Sequence, residues 1–259
     1  MDITCDGIII RETAYGEKDK IVTFLTGEYG KITVLAKGVR NINSKNSHAV
    51  QLFCFSNFEM TEKNGRYTLK TATVINTFYG VREKIEAFSL ASYFADVCST
   101  VCTENNPEKE MLRLMLNCFY ALAKLQDVPF WKVKAVFEIK CMQINGLSPE
   151  LSYCLNCGKE IAPRATHDGK YSFVFSEGGI VCSDCLPEDI FDGVFKVSFD
   201  TLSALCSVIS SPQGTMLKFN INEEPEVINE FCLLCEKYLS YHTSRRYETL
   251  AFYKSVMAL

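Results

Sequence analysis

Four cysteines in two closely spaced pairs are the residues of this chain whose spacing most clearly predicts chemistry. The first pair is Cys154 and Cys157, the second is Cys182 and Cys185, and 24 residues separate the two pairs. Four thiolates bind Zn²⁺ in a closed tetrahedral shell, and a gap of two residues lets one tight turn direct both sulfurs of a pair at the same ion. The spacing therefore predicts one structural zinc ion per chain, because a closed shell leaves no position for water or substrate.

Other interpretations of these cysteines stay open at this point. The chain contains 13 cysteines, so the two pairs could be buried thiols that happen to lie close in sequence. His167 lies between the pairs and could replace one thiolate, although four cysteines already fill the shell. A further pair, Cys232 and Cys235, falls on an apolar helical stripe and is interpreted as core packing. Glycines beside both pairs favour the zinc site, since the backbone must bend around the metal.

A run of cations without acids predicts a surface that contacts phosphate. Residues 29–58 contain no Asp or Glu, although the whole chain carries a net charge of −4. Our first choice for residues that contact nucleic acid is Lys37, Arg40 and Lys45, and our second choice is Arg11 and Lys31. Each single lysine is also compatible with a solvated surface charge, so the run is stronger evidence than its members.

No pattern for catalysis accompanies these features. The sequence lacks a phosphate loop ending in Gly-Lys-Ser or Gly-Lys-Thr, a dinucleotide glycine fingerprint, a His-Glu-x-x-His helix and a Gly-x-Ser-x-Gly elbow. His48 and His242 are interpreted as surface or capping residues. The chain is therefore expected not to be an enzyme, and a nuclease with unrecognised carboxylates is kept as an alternative class.

The elements that position these residues begin with a predicted barrel. Five segments rich in β-branched and aromatic residues lie at 3–13, 20–26, 31–36, 51–60 and 66–78, with polar or glycine-containing breaks between them. Residues 63–66 predict a tight hairpin turn, and residues 37–50 predict a surface loop. Five strands of this length are typical of an OB fold, and an SH3-like barrel is nearly as good an interpretation.

After residue 80 the apolar period predicts packed helices. Three stripes recur at helical spacing: Leu90, Phe94, Val97 and Val101; Leu112, Met115, Leu116, Phe119 and Leu122; and Val133, Phe137, Cys141 and Ile144. Further helices are expected near residue 201 and over 225–243. The residues alone therefore predict an α+β chain with several domains: a five-stranded barrel at 1–80, for which the OB and SH3-like interpretations stay open, and a helical domain at 81–259 with a four-cysteine zinc module inserted at 150–187.

Cysteine usage and hydropathy predict the compartment. The thiols are spread through apolar segments, which is not typical of a secreted disulfide framework. The start carries Asp2 and Asp6 where a signal peptide has a basic region, and no apolar run reaches the length of a membrane span. We expect a soluble cytoplasmic protein without a membrane partner.

A series of motifs extends along nearly the whole chain. Its first part comprises Arg11, Tyr15, Glu17, Asp19, Leu25, Thr26, Glu28, Gly30, Lys37, Gly38, Val39, Arg40 and Ser44. Its second part comprises Gly146, Leu147, Ser148, Pro149, Glu150, Leu151, the two Cys-x-x-Cys pairs with Gly158, Gly178 and Gly179, and finally Tyr238, Leu239, His242 and Arg245. In this order the motifs resemble those of the bacterial RecO family of recombination mediators, which implies that residues 1–80 are an OB-fold DNA-binding domain.

The resemblance implies an OB domain, a helical domain that carries the zinc module, and no enzymatic turnover. It also implies a nucleoid-associated DNA repair and recombination mediator that binds single- and double-stranded DNA and anneals complementary strands. With RecR and RecF, such a protein helps RecA to replace single-strand-binding protein. The alternative is a zinc-stabilised scaffold for other proteins without a direct DNA role.

The resemblance further implies that the helical domain receives the acidic C-terminal tail of single-strand-binding protein. A receptor for such a tail needs an apolar pocket rimmed with positive charge. The basic residues scattered along the predicted helices are Arg113, Lys124, Lys132, Lys134 and Lys140. For any single one of them, a solvated charge or a lysine with a buried stem is an equally ordinary interpretation.

Overall fold

A computed structural model describes residues 1–161, 171–185 and 193–258, and these residues form two compact units. The barrel unit comprises Met1–Phe130 and Tyr247–Leu259, and the ribbon unit comprises Trp131–Arg246. His167 and part of the predicted zinc module lie outside the described residues. The predicted division of the chain at residue 80 stays a prediction.

Five strands open the barrel unit: β1 (Asp2–Tyr15), β2 (Asp19–Thr26), β3 (Lys31–Ala36), β4 (Phe55–Lys63) and β5 (Arg66–Asn76). They close into a barrel in the order β1-β2-β3-β5-β4, and the pairing is antiparallel except where β3 meets β5. This closed five-stranded barrel confirms the predicted architecture. The segment between β3 and β4 connects two strands that do not pair with each other, and its Val39 and Val50 pack in the barrel core.

Alternation along the strands fills the barrel with apolar side chains. In β3, Ile32, Val34 and Ala36 are buried, while the residues between them are half-buried or exposed. Phe24 and Phe58 stack inside the barrel with ring centroids 4.3 Å apart. These inward residues anchor the strands whose connections carry the candidate site.

The predicted hairpin turn at residues 63–66 is confirmed. Lys63 pairs with Arg66, and both Asn64 (φ 53°) and Gly65 (φ 73°) adopt the left-handed backbone that a two-residue hairpin requires. The prediction that the preceding strand begins near residue 51 was wrong, because β4 begins at Phe55. Phe53 turns there with φ 67° and its N–H donates to the Ile9 carbonyl, which ends the apolar run as a turn instead of a strand.

Seven α-helices follow in the described part of the chain: α1 (Tyr79–Glu83), α2 (Ile85–Val101), α3 (Lys109–Lys124), α4 (Phe130–Ile144), α5 (Phe199–Ser210), α6 (Pro225–Thr243) and α7 (Glu248–Met257). The predicted apolar stripes lie in α2, α3 and α4. α7 was not predicted, and it belongs to the barrel unit, where Thr249 Oγ1 donates to Asp96 Oδ2 of α2 over 3.0 Å. None of the described helices is long and apolar enough to span a membrane.

Four short strands of the ribbon unit form a second sheet: β6 (Glu150–Cys154), β7 (Tyr171–Val174), β8 (Gly179–Val181) and β9 (Val194–Val197), in the order β6-β8-β7-β9. β7 and β8 form the hairpin that the glycine-bearing segment between them permits, since Gly178 has φ 61°. β6 and β8 run parallel, so the ends of these two strands lie side by side. Both cysteine pairs are located at those ends.

Helix α4 is buried on almost every side, not on one stripe. Lys134 lies 2.9 Å from Glu138 Oε1 and 2.8 Å from Glu236 Oε2, and the side chains of Lys134 and Glu138 are 6% and 0% exposed. Although burial favours the neutral amine, the two carboxylates raise the pKa of Lys134 above its ordinary value. The pair therefore stays charged inside the ribbon unit.

Candidate metal centre and nucleic-acid interface

Two backbone turns position the cysteines. Cys154 ends β6, and the first turn is closed by hydrogen bonds from the Gly158 N–H to the Cys154 carbonyl (2.9 Å) and from the Cys154 N–H to the Lys159 carbonyl (2.8 Å). Gly158 has φ 68°, a backbone conformation that favours glycine. In the second turn the Cys185 N–H donates to the Cys182 carbonyl over 3.0 Å.

The sheet brings the two turns together. The N–H of Leu155 donates to the carbonyl of Ile180 over 2.9 Å, which ties the first turn to β8, and Cys182 follows β8 directly. The Sγ atoms of Cys154, Cys157, Cys182 and Cys185 all lie within 4.8 Å of one another. The predicted convergence of four thiols is therefore confirmed, and the cluster can hold a metal ion.

The distances fit an ion at the centre of a sulfur tetrahedron. The Sγ atoms of Cys157 and Cys182 lie 3.8 Å apart, and a tetrahedron with metal–sulfur bonds of about 2.3 Å has edges of about 3.8 Å. An all-thiolate donor set is the one that structural zinc sites use. The residues present therefore fit Zn²⁺, and zinc as the bound metal stays a prediction.

The electrostatics of the cluster also call for a cation. Burial works against the thiolate of Cys154, but hydrogen bonds from the backbone N–H groups of Cys157, Cys182 and Asn156 outweigh it and lower the pKa of Cys154 to about 6. The neighbouring sulfurs of Cys157 and Cys182 raise the pKa of Cys185 to about 12. Four adjacent sulfurs cannot all carry negative charge unless a positive ion compensates them.

The cationic loop, which we define as residues 37–50, is tied to the barrel at both ends. At its start, the Gly38 N–H donates to Asp19 Oδ1 over 2.7 Å, and the Arg40 N–H donates to the Lys18 carbonyl over 3.0 Å. At its end, Asn46 Nδ2 donates to the Lys70 carbonyl over 3.1 Å. The loop is thus held by the turn between β1 and β2 on one side and by strand β5 on the other.

The three cationic side chains of this loop reach solvent. Lys37, Arg40 and Lys45 are exposed, and neither lysine has an ion-pair partner among the described residues. Arg40 Nη1 donates to the Gly16 carbonyl over 2.9 Å, which orients the guanidinium but leaves further donors on it. The structure therefore places the three first-choice cations on one anchored loop.

The two second-choice cations lie elsewhere on the barrel unit. Arg11 is exposed on β1, opposite Thr23 of β2. Lys31 is half-buried, and its Nζ donates to the Ser99 carbonyl in the last turn of α2 over 2.6 Å. Since a cation at a helix C-terminus stabilises the helix, the amine of Lys31 has a structural contact of its own.

The five scattered helix cations are divided between the two units. Arg113 and Lys124 are exposed on α3 in the barrel unit, whereas the other three belong to α4 in the ribbon unit. Lys134 is in the buried ion pairs described above, and Lys132 Nζ lies 4.3 Å from the centroid of the Phe219 ring. Lys140 Nζ donates to the carbonyls of Ile209, in the last turn of α5, and of Ser211, which caps that helix.

A second cationic site was missed by the sequence interpretation. A pocket of 420 Å³ lies at the C-terminal end of α6 and is lined by Phe175, Lys237, Ser240, Tyr241, Ser244, Arg245 and Arg246. Lys237, Arg245 and Arg246 fall within ten residues of one another, and this local density was the available signal. The site was missed because it also needs Phe175, which lies far away in sequence. None of the described residues that line the pocket is Asp or Glu.

The chain is similar in sequence to proteins of one known family. Residues 1–78 match the family model described as Recombination protein O N terminal, and residues 82–251 match Recombination protein O C terminal. A protein named DNA repair protein RecO from Acetivibrio thermocellus is 32% identical over 250 residues, which cover 96% of this chain and 95% of that protein. Proteins of the same name from Alkaliphilus metalliredigens and Bacillus subtilis are 26% and 31% identical, over 95% and 71% of this chain and 95% and 69% of their own lengths.

Proposed function

This chain belongs to the RecO family of DNA repair proteins, and on that premise we propose that it is a recombination mediator that binds DNA through the cationic loop of its barrel. In this role it binds single- and double-stranded DNA and anneals complementary strands. Together with RecR and RecF, it helps to load RecA onto single-stranded DNA coated by single-strand-binding protein. The reaction needs no enzymatic turnover, because binding alone can lower the free energy of the exchange intermediates.

The observation that carries this proposal is the anchored cationic loop on a closed five-stranded barrel. Lys37, Arg40 and Lys45 project from a segment that contains no acid and is fixed to the β1–β2 turn and to strand β5. Barrels of this type commonly bind oligonucleotides. Phosphate contacts release condensed counterions, so a group of exposed cations supplies affinity that does not depend on base sequence.

The metal site has a structural part in this proposal. Cys154, Cys157, Cys182 and Cys185 would hold one zinc ion, which supplies cross-linking of the two turns of the ribbon unit and thereby folding free energy. The four sulfurs complete the shell, so the proposed DNA chemistry does not pass through the metal. An intact ribbon unit keeps the partner surfaces of the mediator in place.

The proposed protein partners rest on family membership. They are RecR, RecF, RecA and the acidic tail of single-strand-binding protein, with residues 81–259 as the receptor for the tail and 1–80 as the DNA-binding domain. Arg113 and Lys124 are the members of the scattered cation set that are exposed. A labelled peptide copying an acidic tail, titrated against the full chain and a variant with Glu at both positions, tests whether α3 contributes to the receptor.

Charge reversal in the loop tests DNA binding directly. The triple variant Lys37→Glu, Arg40→Glu, Lys45→Glu should bind labelled single-stranded oligonucleotides of any sequence more weakly by fluorescence anisotropy. The slope of log affinity against log salt should fall by about 0.7 for each phosphate contact that is lost. The matched control reverses Lys84, Lys109 and Lys124, which are exposed on other parts of the same unit and change the net charge equally.

The outcomes separate the candidate functions. Unchanged affinity of the loop variant at low salt would move the DNA contact to another surface. Absence of salt-dependent DNA binding by the parent protein would favour a zinc-stabilised protein scaffold, and Mg²⁺-dependent cleavage of the oligonucleotide would reveal a nuclease. Strand annealing on DNA coated with single-strand-binding protein, measured with and without RecR, then tests the mediator activity itself.

A further inference from the structure

The pocket at the end of α6 combines positive charge with aromatic surface. Ser244 ends the helix with φ 50°, so the chain turns there and brings Arg245 and Arg246 to the same pocket as Lys237 of the last helical turns. Lys237 Nζ lies 4.9 Å from the centroid of the Phe195 ring, which fixes the position of this amine. The nearby acid Glu236 contacts Lys134 over 2.8 Å and does not line the pocket.

The aromatic side chains of the pocket pack against the backbone on one side, and Tyr241 is exposed to solvent. The rings of Phe175 and Tyr241 have centroids 6.0 Å apart and are tilted by 35°. Gly193 lies so close that an added Cβ would be 3.2 Å from Phe175 and 3.3 Å from Tyr241, so the backbone at Gly193 packs against both rings. Tyr241 nevertheless remains 37% exposed.

We propose that this pocket binds one nucleotide of single-stranded DNA, with its base against Tyr241 and its flanking phosphates at Lys237 and Arg246. The inference rests on the proposed DNA-binding function and adds a second contact, on the ribbon unit, to the cationic loop on the barrel unit. A volume of 420 Å³ falls in the usual range of sites for small ligands. A base presents a flat π-face to an aromatic ring, and cations beside such a platform are the common pattern of single-strand binding sites.

A nucleotide uses both properties of the pocket. The carboxylates of an acidic peptide would match the cations, but they would leave the exposed face of Tyr241 without a partner unless the peptide also carried an aromatic residue. Every nucleotide of a single strand brings a π-face and a phosphate together. In a duplex the bases are already stacked and paired, so the pocket would discriminate in favour of single strands, whereas phosphate contacts at the cationic loop would not.

The test separates base stacking from phosphate contact. Tyr241→Ala and the double variant Lys237→Gln, Arg246→Gln are titrated as full chains against a labelled 15-nucleotide oligo-dT and against an abasic strand of equal length. Tyr241→Ala should weaken oligo-dT binding about 5- to 150-fold, the range observed for loss of a stacked base. It should leave binding to the abasic strand and to duplex DNA nearly unchanged, while the charge variant should weaken binding to both single strands.

Matched controls are available on surfaces that do not line the pocket. Tyr120→Ala removes a tyrosine that is 53% exposed on α3, and Lys218→Gln removes an exposed lysine of the ribbon unit. Both control variants should bind like the parent protein. Thermal unfolding of every variant shows whether Tyr241→Ala still folds. If it does not, the charge variant decides, because Lys237 and Arg246 are exposed.

Several outcomes would overturn the proposal. The proposal is overturned if the pocket variants bind oligo-dT as tightly as the parent. It is also overturned if Tyr241→Ala loses as much affinity for the abasic strand as for oligo-dT. Binding of a peptide of five Asp residues and a C-terminal Phe that is lost in the variants, with DNA affinity intact, would assign the pocket to a protein partner. If loop reversal weakens DNA binding and the pocket variants do not, this inference alone fails; if the parent binds no DNA, the proposed function fails as well.

Discussion

The four-cysteine cluster and the cationic loop are both built on turns at the surface, but different parts of each are fixed. In the cluster, backbone hydrogen bonds and the sheet hold the functional atoms themselves, so four sulfurs lie within 4.8 Å. In the loop, the backbone is anchored at both ends, and the ammonium groups of Lys37 and Lys45 remain free to move. A metal ion requires fixed geometry, whereas phosphates along a strand require mainly local positive charge.

This difference predicts where substitutions act. Changes in the cluster should lower the stability of the ribbon unit before they affect any binding surface. Changes in the loop should lower DNA affinity and leave the free energy of unfolding within about 0.5 kcal/mol of the parent, as is usual for surface positions. Measuring unfolding free energy and DNA affinity for variants of both regions tests whether the two properties depend on different residues.

The largest effect is expected from loss of a metal ligand. Cys182→Ser should abolish stoichiometric zinc binding and lower the melting temperature and solubility, because apparent zinc-binding free energies of about 10–16 kcal/mol in small domains are also folding free energies. Metal analysis of protein purified without chelator measures the stoichiometry. Cys206→Ser is the matched control, since Cys206 is half-buried in α5 of the same unit and does not belong to the cluster.

Two results would contradict this prediction. One is a parent protein without zinc after purification in the absence of chelator. The other is a Cys182→Ser variant that keeps one zinc ion per chain and the parent's melting temperature. Either result would show that the four thiols are only neighbours and that a bound zinc ion does not stabilise the ribbon unit.

The sequence predicted those features that short segments determine. The spacing of the cysteines and the flanking glycine at Gly158 encode a local turn, and the turn residues Asn64 and Gly65 encode a hairpin; each was found where it was expected. The strand periodicity likewise predicted the barrel, because alternation of buried residues is a property of each strand. Local signals of this kind do not depend on which distant segment becomes a neighbour.

Features made by distant segments were not predicted. Periodicity predicted one buried stripe on α4, but Lys134 and Lys140 are bonded there to Glu236 and to carbonyls at the end of α5, many residues away in sequence. Lys31 was considered a possible phosphate contact, and its bond to the Ser99 carbonyl joins residues 68 positions apart. The pocket at α6 was missed for the same reason, since Phe175 reaches it from the sheet.

A buried cation should behave unlike the cations of the loop. Lys134→Met removes the cation that lies 2.9 Å from the fully buried Glu138, and removal of one member of a buried ion pair costs about 3–5 kcal/mol of unfolding free energy. Urea unfolding monitored by circular dichroism measures this loss. The Lys37, Arg40 and Lys45 triple reversal is the contrasting variant, and it should unfold at nearly the parental urea concentration.

A double variant identifies the cause of that loss. Lys134→Met combined with Glu138→Met removes both buried charges and leaves Glu236, which is 16% exposed and can reach water. Replacement of a buried pair by apolar side chains of similar volume is often neutral, so most of the stability should return. A double variant as unstable as Lys134→Met would show that the loss of unfolding free energy comes from changed packing in α4 and not from the buried charge of Glu138.

His242 offers the smallest and most selective effect. Its ring lies 4.5 Å from the ring of Tyr238 and 5.4 Å from that of Tyr241, measured between centroids, and its buried Nε2 has no hydrogen-bond partner among the residues that the structure describes. Burial lowers the pKa of His242 below its ordinary value of 6.5, and a hydrogen bond with the Phe175 backbone only partly opposes this. Tyr238 stays neutral beside it, because burial raises the pKa of its phenol to about 12.

The neutral form of His242 is therefore favoured in the folded protein, and the sign of the pH effect follows. Above the unfolded pKa of 6.5 its contribution to stability is fully present, and it is lost as the pH falls from there through the lower folded pKa. Between pH 8 and pH 5 the melting temperature of His242→Gln should accordingly fall less than that of the parent. Acid loss of the metal affects both proteins alike and cancels in the difference between their melting temperatures.

His48→Gln, at an exposed position of the cationic loop, is the control variant for this comparison. Parallel curves for His242→Gln and the parent would show that the aromatic surroundings of His242 do not penalise its protonated ring.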